Sequence, residues 1–155
     1  IPSVAHGARN TAKTGVLAGY PVLGVLVELV DGKYHEVDSS QVAFEMAGSL
    51  AFKEACRKAK LQLQEPIMKV TITTPDEFFG NVSGDLNRRR ALIAGSEERG
   101  NTRVVTAEAP LSEMFGYSNT LRGMTQGRAS YSMEPLEYRP VPDNIAKTLL
   151  EEGGK

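Results

Sequence analysis

A chain of 155 residues, 41% hydrophobic and 24% charged, has room for one average domain or two small ones with modest cores. Its formal net charge of −1 excludes a strong global field toward nucleic acid, so any RNA contact must be local, and no apolar run approaches the ~20 residues needed to span a bilayer. The lone Cys56 excludes an internal disulfide or a cysteine-rich zinc site and fits a reducing compartment, and the N-terminus IPSVAHGARN does not read as a signal peptide.

In chain order, Val4, Ala5, Ala8 and Ala12 recur at helical spacing and predict a short helix ending near Gly15. From Val22 to Val30 the pattern becomes strand-like. Asp31-Gly32 is a hairpin signal that would return the chain through Lys33 to Val37. Asp38 reads as a helix N-cap with Gln41 as its partner. The helix expected from about Ser39 to Ala59 carries Ala43, Met46, Ala47, Leu50, Ala51 and Ala55 on one stripe. Cys56, among alanines on this helix, reads as packing. Met68, Val70 and Ile72 then alternate with Lys69, Thr71 and Thr73, which predicts a strand over 67–74. Thr74-Pro75-Asp76-Glu77 is a helix start, with Thr74 as cap. Ala91–Ser96 and Thr102–Ala109 read as strands joined at Arg99-Gly100-Asn101. A helix follows from Pro110 to about Gly123, then a strand over Gly127–Tyr138.

Strand–helix–strand–strand–helix–strand is the split βαβ, ferredoxin-like order, placed at about 66–140. The expected class is therefore α+β. Residues 1–62 form a first unit whose two strands make a thin sheet, 63–140 the ferredoxin-like domain, and 141–155 a tail that frays beyond Leu150.

Motifs for independent catalysis are missing. There is no G-x-x-x-x-G-K-[ST] to cradle a nucleoside triphosphate, and the only imidazoles, His6 and His35, fall in different elements, a poor start for a metal site. His35, beside Tyr34 and ahead of a helix start, could stack on a base or donate to a phosphate. The basic clusters are Arg88-Arg89-Arg90, Arg99 with Arg103, and Arg122 with Arg128.

Three stretches carry a resemblance. LAGYPVLGVLVELVDGKYHEVDSSQVAFEMAGSLAFKEA, residues 17–55, resembles the fourth domain of elongation factor G. EPIMKVTITTPDEFFGNVSGDLNRRRALI, residues 65–93, and APLSEMFGYSNTLRGMTQGRASYSMEPLEY, residues 109–138, resemble its fifth. The chain departs from the family's usual pattern at Gln64 before the EPIM motif, at Ala91 where R-R-G is common, and at Ala129 after Gly127-Arg128.

The resemblance implies a role in translation. The fourth domain would be partial here, with a fold like the second domain of a small-subunit ribosomal protein. Its tip loop enters the decoding region in the family and would bring Tyr34, His35, Glu36, Val37, Asp38 and Ser39 to the tRNA–mRNA duplex. The fifth domain would lie on large-subunit rRNA, with Arg88, Arg89 and Arg122 as phosphate contacts. The implied protein is a cytoplasmic, monomeric ribosome-binding factor that promotes translocation and makes no membrane contact. GTP and Mg would be held by its parent's GTPase domain, with no cofactor and no catalytic residue in this chain. The alternatives are a paralogue acting in ribosome recycling, or a ferredoxin-like protein-interaction module, which would expose an apolar sheet face.

Overall fold

The computed structural model describes residues 1–33 and 40–153. In chain order its elements are α1 (Pro2–Thr14), α2 (Gln41–Ala59), β1 (Gln64–Pro75), α3 (Phe79–Arg88), β2 (Leu92–Arg99), β3 (Thr102–Pro110), α4 (Tyr117–Met124), β4 (Ser130–Pro140) and α5 (Asp143–Gly153). They fall into two compact units, one of Ile1–Leu63 with the segment from Pro142 onward, the other Gln64–Val141. The last segment is thus helix α5 grouped with the first unit, where a fraying tail was expected. Ile145 and Ala146 donate to the Pro142 carbonyl to start it, and Gly153 lies against Ala18.

In the first unit, α1 begins with proline at its first position and ends at Gly15, whose φ of 90° suits glycine. Helices α1 and α2 meet backbone to backbone. A Cβ on Gly7 would lie 2.0 Å from the Glu45 carbonyl oxygen, and one on Gly48 would lie 2.4 Å from that of Val4. Only glycine fits either place. Alongside, Thr11 donates to the Gly7 carbonyl and shares a hydrogen bond with Ser49. This contact turns Gly48, Phe52 and Cys56 inward and leaves Val42, Met46 and Leu50 in solvent, so the buried stripe of α2 is rotated from the Met46/Leu50 stripe expected. Burial raises the Cys56 thiol above its ordinary pKa, as packing predicts.

Two further expectations change here. The α2 cap is Ser40, extended at φ −106° and accepting from the Ala43 amide at 3.0 Å; Asp38 lies outside the described residues. The strand expected over 22–30 is not one. No described strand pairs with it, and Leu23, Val25, Leu26, Val27, Leu29 and Val30 are each at least half exposed. The return strand expected over Lys33–Val37 falls, beyond Lys33, outside the described residues. Val22 alone is fixed, donating to the Ala12 carbonyl at 2.8 Å and packing on Ala8, Phe52 and Cys56.

The second unit is an antiparallel sheet in the order β2-β3-β1-β4 with α3 and α4 as its crossovers, the ferredoxin-like arrangement expected. Val70 and Ile72 of β1, Val105, Ala107 and Ala109 of β3, Val82 and Leu86 of α3, and Tyr117 and Leu121 of α4 form its core. Lys69 and Thr71 alternate to the other side of β1. β1 runs longer than expected, from Gln64 to Pro75, and buried Thr74 is a strand residue paired with Arg103 that caps no helix. The turn Asp76–Phe78 is 3₁₀ and α3 begins at Phe79. The single helix expected from Pro110 is likewise split into a 3₁₀ turn, Leu111–Glu113, and α4, with Gly116 at φ 73° between them.

Helix α3 closes through a left-handed residue that is not glycine. Arg90 sits at φ 58°, its amide donates to the Asn87 carbonyl and the Ala91 amide donates back to Leu86 at 3.0 Å. The left-handed conformation disfavours any side chain by about 1–2 kcal/mol. Here the guanidinium offsets that cost with a bidentate pair to Glu65 at the start of β1, 2.9 Å at both nitrogens, and a 3.4 Å contact to Glu113. The Glu65 hydrogen bond, more than any other influence, raises the pKa of Arg90 further.

Urea denaturation should separate these effects. Gly7→Ala should destabilise the first unit by about 2 kcal/mol or more, as overpacking at a rigid backbone contact outweighs the gain in propensity. Gly80→Ala in α3, where nothing lies within 4 Å of a new Cβ, should instead stabilise by up to ~1 kcal/mol. Arg90→Ala should cost about 3 kcal/mol, since it leaves the largely buried Glu65 carboxylate unpaired. Arg90→Gly should cost about 1 kcal/mol less than the alanine variant, because it relieves the left-handed strain; equal losses would show that the strain is not real.

Candidate nucleic-acid interface

Each of the consecutive arginines ending α3 has a different environment. Arg88 is exposed, with only a 3.5 Å contact from its Nε to the Gly84 carbonyl, and forms no ion pair with the described residues. Arg89 turns inward. Its Nε pairs with Asp85 at 2.9 Å, Nη1 donates to the carbonyls of Glu113 at 2.6 Å and Phe115 at 3.5 Å, and Nη2 donates to Thr120 Oγ1 at 3.2 Å. The guanidinium also lies 5.0 Å from the centroid of the Tyr117 ring. Arg89 was expected at a phosphate. Its donors are instead committed to the loop ahead of α4, so it is a tie within the fold.

Tyr117 is 1% exposed and packs edge-on to Tyr131, with centroids 5.2 Å apart. Its hydroxyl has no hydrogen-bond partner among the described residues, and burial above all pushes its pKa well above the usual phenol range.

The other basic clusters are largely neutralised. Arg103 pairs with Asp76 at 2.9 Å and with Glu98, and stacks 4.2 Å over Phe79. Arg128 pairs with Glu77 at 2.6 Å over the Phe78 ring, and Arg99 pairs with Glu97 at 3.2 Å. Arg122, in the last turn of α4, is exposed and unpaired among the described residues. Of the expected phosphate contacts, the structure leaves Arg88 and Arg122 free and engages Arg89. The tip candidates Tyr34, His35, Glu36, Val37, Asp38 and Ser39 lie outside the described residues.

Sequence reasoning passed over Phe115. It is 77% exposed in the loop that Arg89 fastens, between buried Met114 and Tyr117. The one signal for it was Gly116, which breaks the helix and turns Phe115 out of the apolar stripe.

Elsewhere the surface of the second unit is mixed, with Leu92, Leu136 and Tyr138 exposed among polar side chains. On the side of the sheet opposite the core, Lys69 faces Glu134 at 3.6 Å and Glu108 pairs with Arg139 at 2.9 Å, among threonines and serines. A cleft of about 310 Å³ is lined by Pro75, Asp76, Glu77, Gly100, Asn101 and Arg128, and both its carboxylates are the paired ones. No group of three metal-ligating side chains gathers among the described residues, and no described helix is long and apolar enough to cross a membrane.

Comparison with known proteins agrees with this architecture. Residues 1–60 match elongation factor G, domain IV, and residues 62–149 match the elongation factor G C-terminus. A crystal structure of a protein from Thermus thermophilus superposes with a TM-score of 0.85 at 41% identity over 99% of this chain. The chain spans 23% of that protein's length. The chain therefore belongs to the elongation factor G family, its first unit matching domain IV and its second the C-terminal domain.

Proposed function

We propose that this chain is the ribosome-contacting region of a translational GTPase that promotes movement of tRNA and mRNA, a cytoplasmic and monomeric factor. The observation that carries the reading is the selective neutralisation of the second unit. Arg89, Arg90, Arg99, Arg103, Arg128 and Arg139 are all held by carboxylates, while Arg88 and Arg122, ending the two crossover helices, pair with no carboxylate among the described residues. In a chain of net charge −1, unpaired guanidiniums on two helix ends are a local anion-binding surface. The sheet face opposite the core carries ion pairs beside exposed Leu92 and so offers no continuous apolar patch to a docking module.

The described residues hold neither a phosphate loop nor a metal-ligand cluster. GTP and Mg would therefore be bound by another part of the full factor, and no step of hydrolysis is assigned here. The task left to this chain is positioning. The segment Tyr34, His35, Glu36, Asp38 and Ser39 would approach the tRNA–mRNA duplex, and Arg88 with Arg122 would take rRNA phosphates.

Ribosome binding should weaken as salt rises, and Arg88→Ala and Arg122→Ala should each lower the slope of log affinity against log salt by about 0.7–0.9. A salt-independent affinity in a filter-binding titration would count against the phosphate contacts. In the full-length factor, His35→Ala should slow single-round translocation while leaving ribosome-stimulated GTP hydrolysis near its original rate. Unchanged translocation would remove His35 from the role.

A further inference from the structure

Asp31-Gly32 is the one Asp-Gly pair in the sequence, and no Asn-Gly occurs. The described residues around it, Val30 to Lys33, enter no helix or strand, and Asp31, Gly32 and Lys33 are all exposed. The Gly32 amide donates to Asp31 Oδ1 at 2.7 Å, so the carboxyl is folded back on the backbone nitrogen of the next residue. Nothing lies within 4 Å of a Cβ built at Gly32, so no packing holds this backbone in place.

The other described aspartates are set differently. Asp76 pairs with Arg103 and is followed by a glutamate. Asp85, 8% exposed, pairs with Arg89 inside α3, and Asp143 lies in the first turn of α5. Helical backbone resists the bend described below, because the bend breaks its hydrogen bonds.

A backbone amide set against a carboxyl in this way can close a ring. The Gly32 nitrogen bonds to Cγ of Asp31, and its proton leaves with the carboxyl hydroxyl as water. Glycine favours the step, having no side chain to crowd the nitrogen. A second water then opens the succinimide. Attack at Cγ restores aspartate. Attack at the Asp31 backbone carbonyl leaves isoaspartate, with the main chain routed through Cβ and Cγ. One water is lost and one regained, so mass is unchanged and no other reactant is needed.

We propose that Asp31-Gly32 is a site of spontaneous covalent modification, where the ageing chain converts aspartate to isoaspartate. The extra main-chain atom enters just ahead of Tyr34, where the segment assigned to the tRNA–mRNA duplex begins. Isomerisation therefore impairs ribosome contact; this consequence rests on the ribosome-contacting reading, whereas the chemistry does not.

The test incubates the 155-residue chain for several weeks at physiological temperature and digests it with trypsin, which releases peptide 14–33. That peptide should appear as two species of equal mass and different retention. The new species alone should accept a methyl group from S-adenosylmethionine when isoaspartyl methyltransferase is added. Asp31→Glu, whose ring would be one atom larger, should give no second species, and Gly32→Val should slow its formation several-fold. A single species from the unaltered chain, or equal formation in Gly32→Val, would overturn the proposal. Aged chains that sediment with purified ribosomes should be depleted in the methyl-accepting form. Equal partition would overturn the consequence for ribosome contact and leave the isomerisation established.

Discussion

The second unit depends on how helix α3 is made to stop. The chain must leave α3 and enter β2 within a few residues, which requires a left-handed residue, and that residue is Arg90. The strain is tolerated because the same conformation aims the guanidinium at Glu65 on β1 and Glu113 ahead of α4. The preceding Arg89 ties the loop of α4 from the other side. Two adjacent arginines thereby connect β1, α3 and the start of α4 at one end of the sheet. The sites of interest are set by this joint, since Arg88 is the residue before it and Phe115 sits in the loop it fastens. Glycine at 90 would make the turn with less strain but would break the connection, so sterics and electrostatics pull in opposite directions at one position and the ion pair prevails.

The first unit is held by a different constraint. Among the described residues its buried cluster is Ala8, Phe52 and Cys56, with Ala12, Val16, Val22 and Leu61 packed around it. So small a cluster gives little hydrophobic stabilisation, and the helix pair relies on the close approach allowed by Gly7 and Gly48. The second unit has twelve buried residues in a continuous core and should be the more resistant to local opening.

The order of elements over 64–140 could be read from sequence because the strands alternate over six or more residues and the turns carry glycine. What could not be read were features that periodicity does not encode. Gly7 and Gly48 count as gaps in an apolar pattern, yet they mark where two helices touch, so the stripe predicted on α2 was rotated. Asp38, Ser39 and Ser40 can all cap a helix, and only backbone geometry selects Ser40. A left-handed arginine has no local signature. The expected strand over 22–30 has the right composition but no described partner, and pairing is a property of the partner as much as of the strand. At the candidate interface, Arg88 and Arg89 are indistinguishable in sequence. Their fates diverge because one more residue along α3 rotates a side chain by about 100°, from solvent toward the loop of α4.

On the reading proposed above, that rotation would let a nearly neutral chain present a local anion-binding surface. The long-range attraction of a basic protein is missing, so affinity must come from a few cations free of competing carboxylates. Six arginines spent on internal pairs give the second unit a surface that is electrostatically quiet except where α3 and α4 end. A surface of this kind binds weakly at random positions, since non-specific attachment scales with the number of phosphates neutralised. On that reading, selectivity would come from shape, through the placement of the two helix ends.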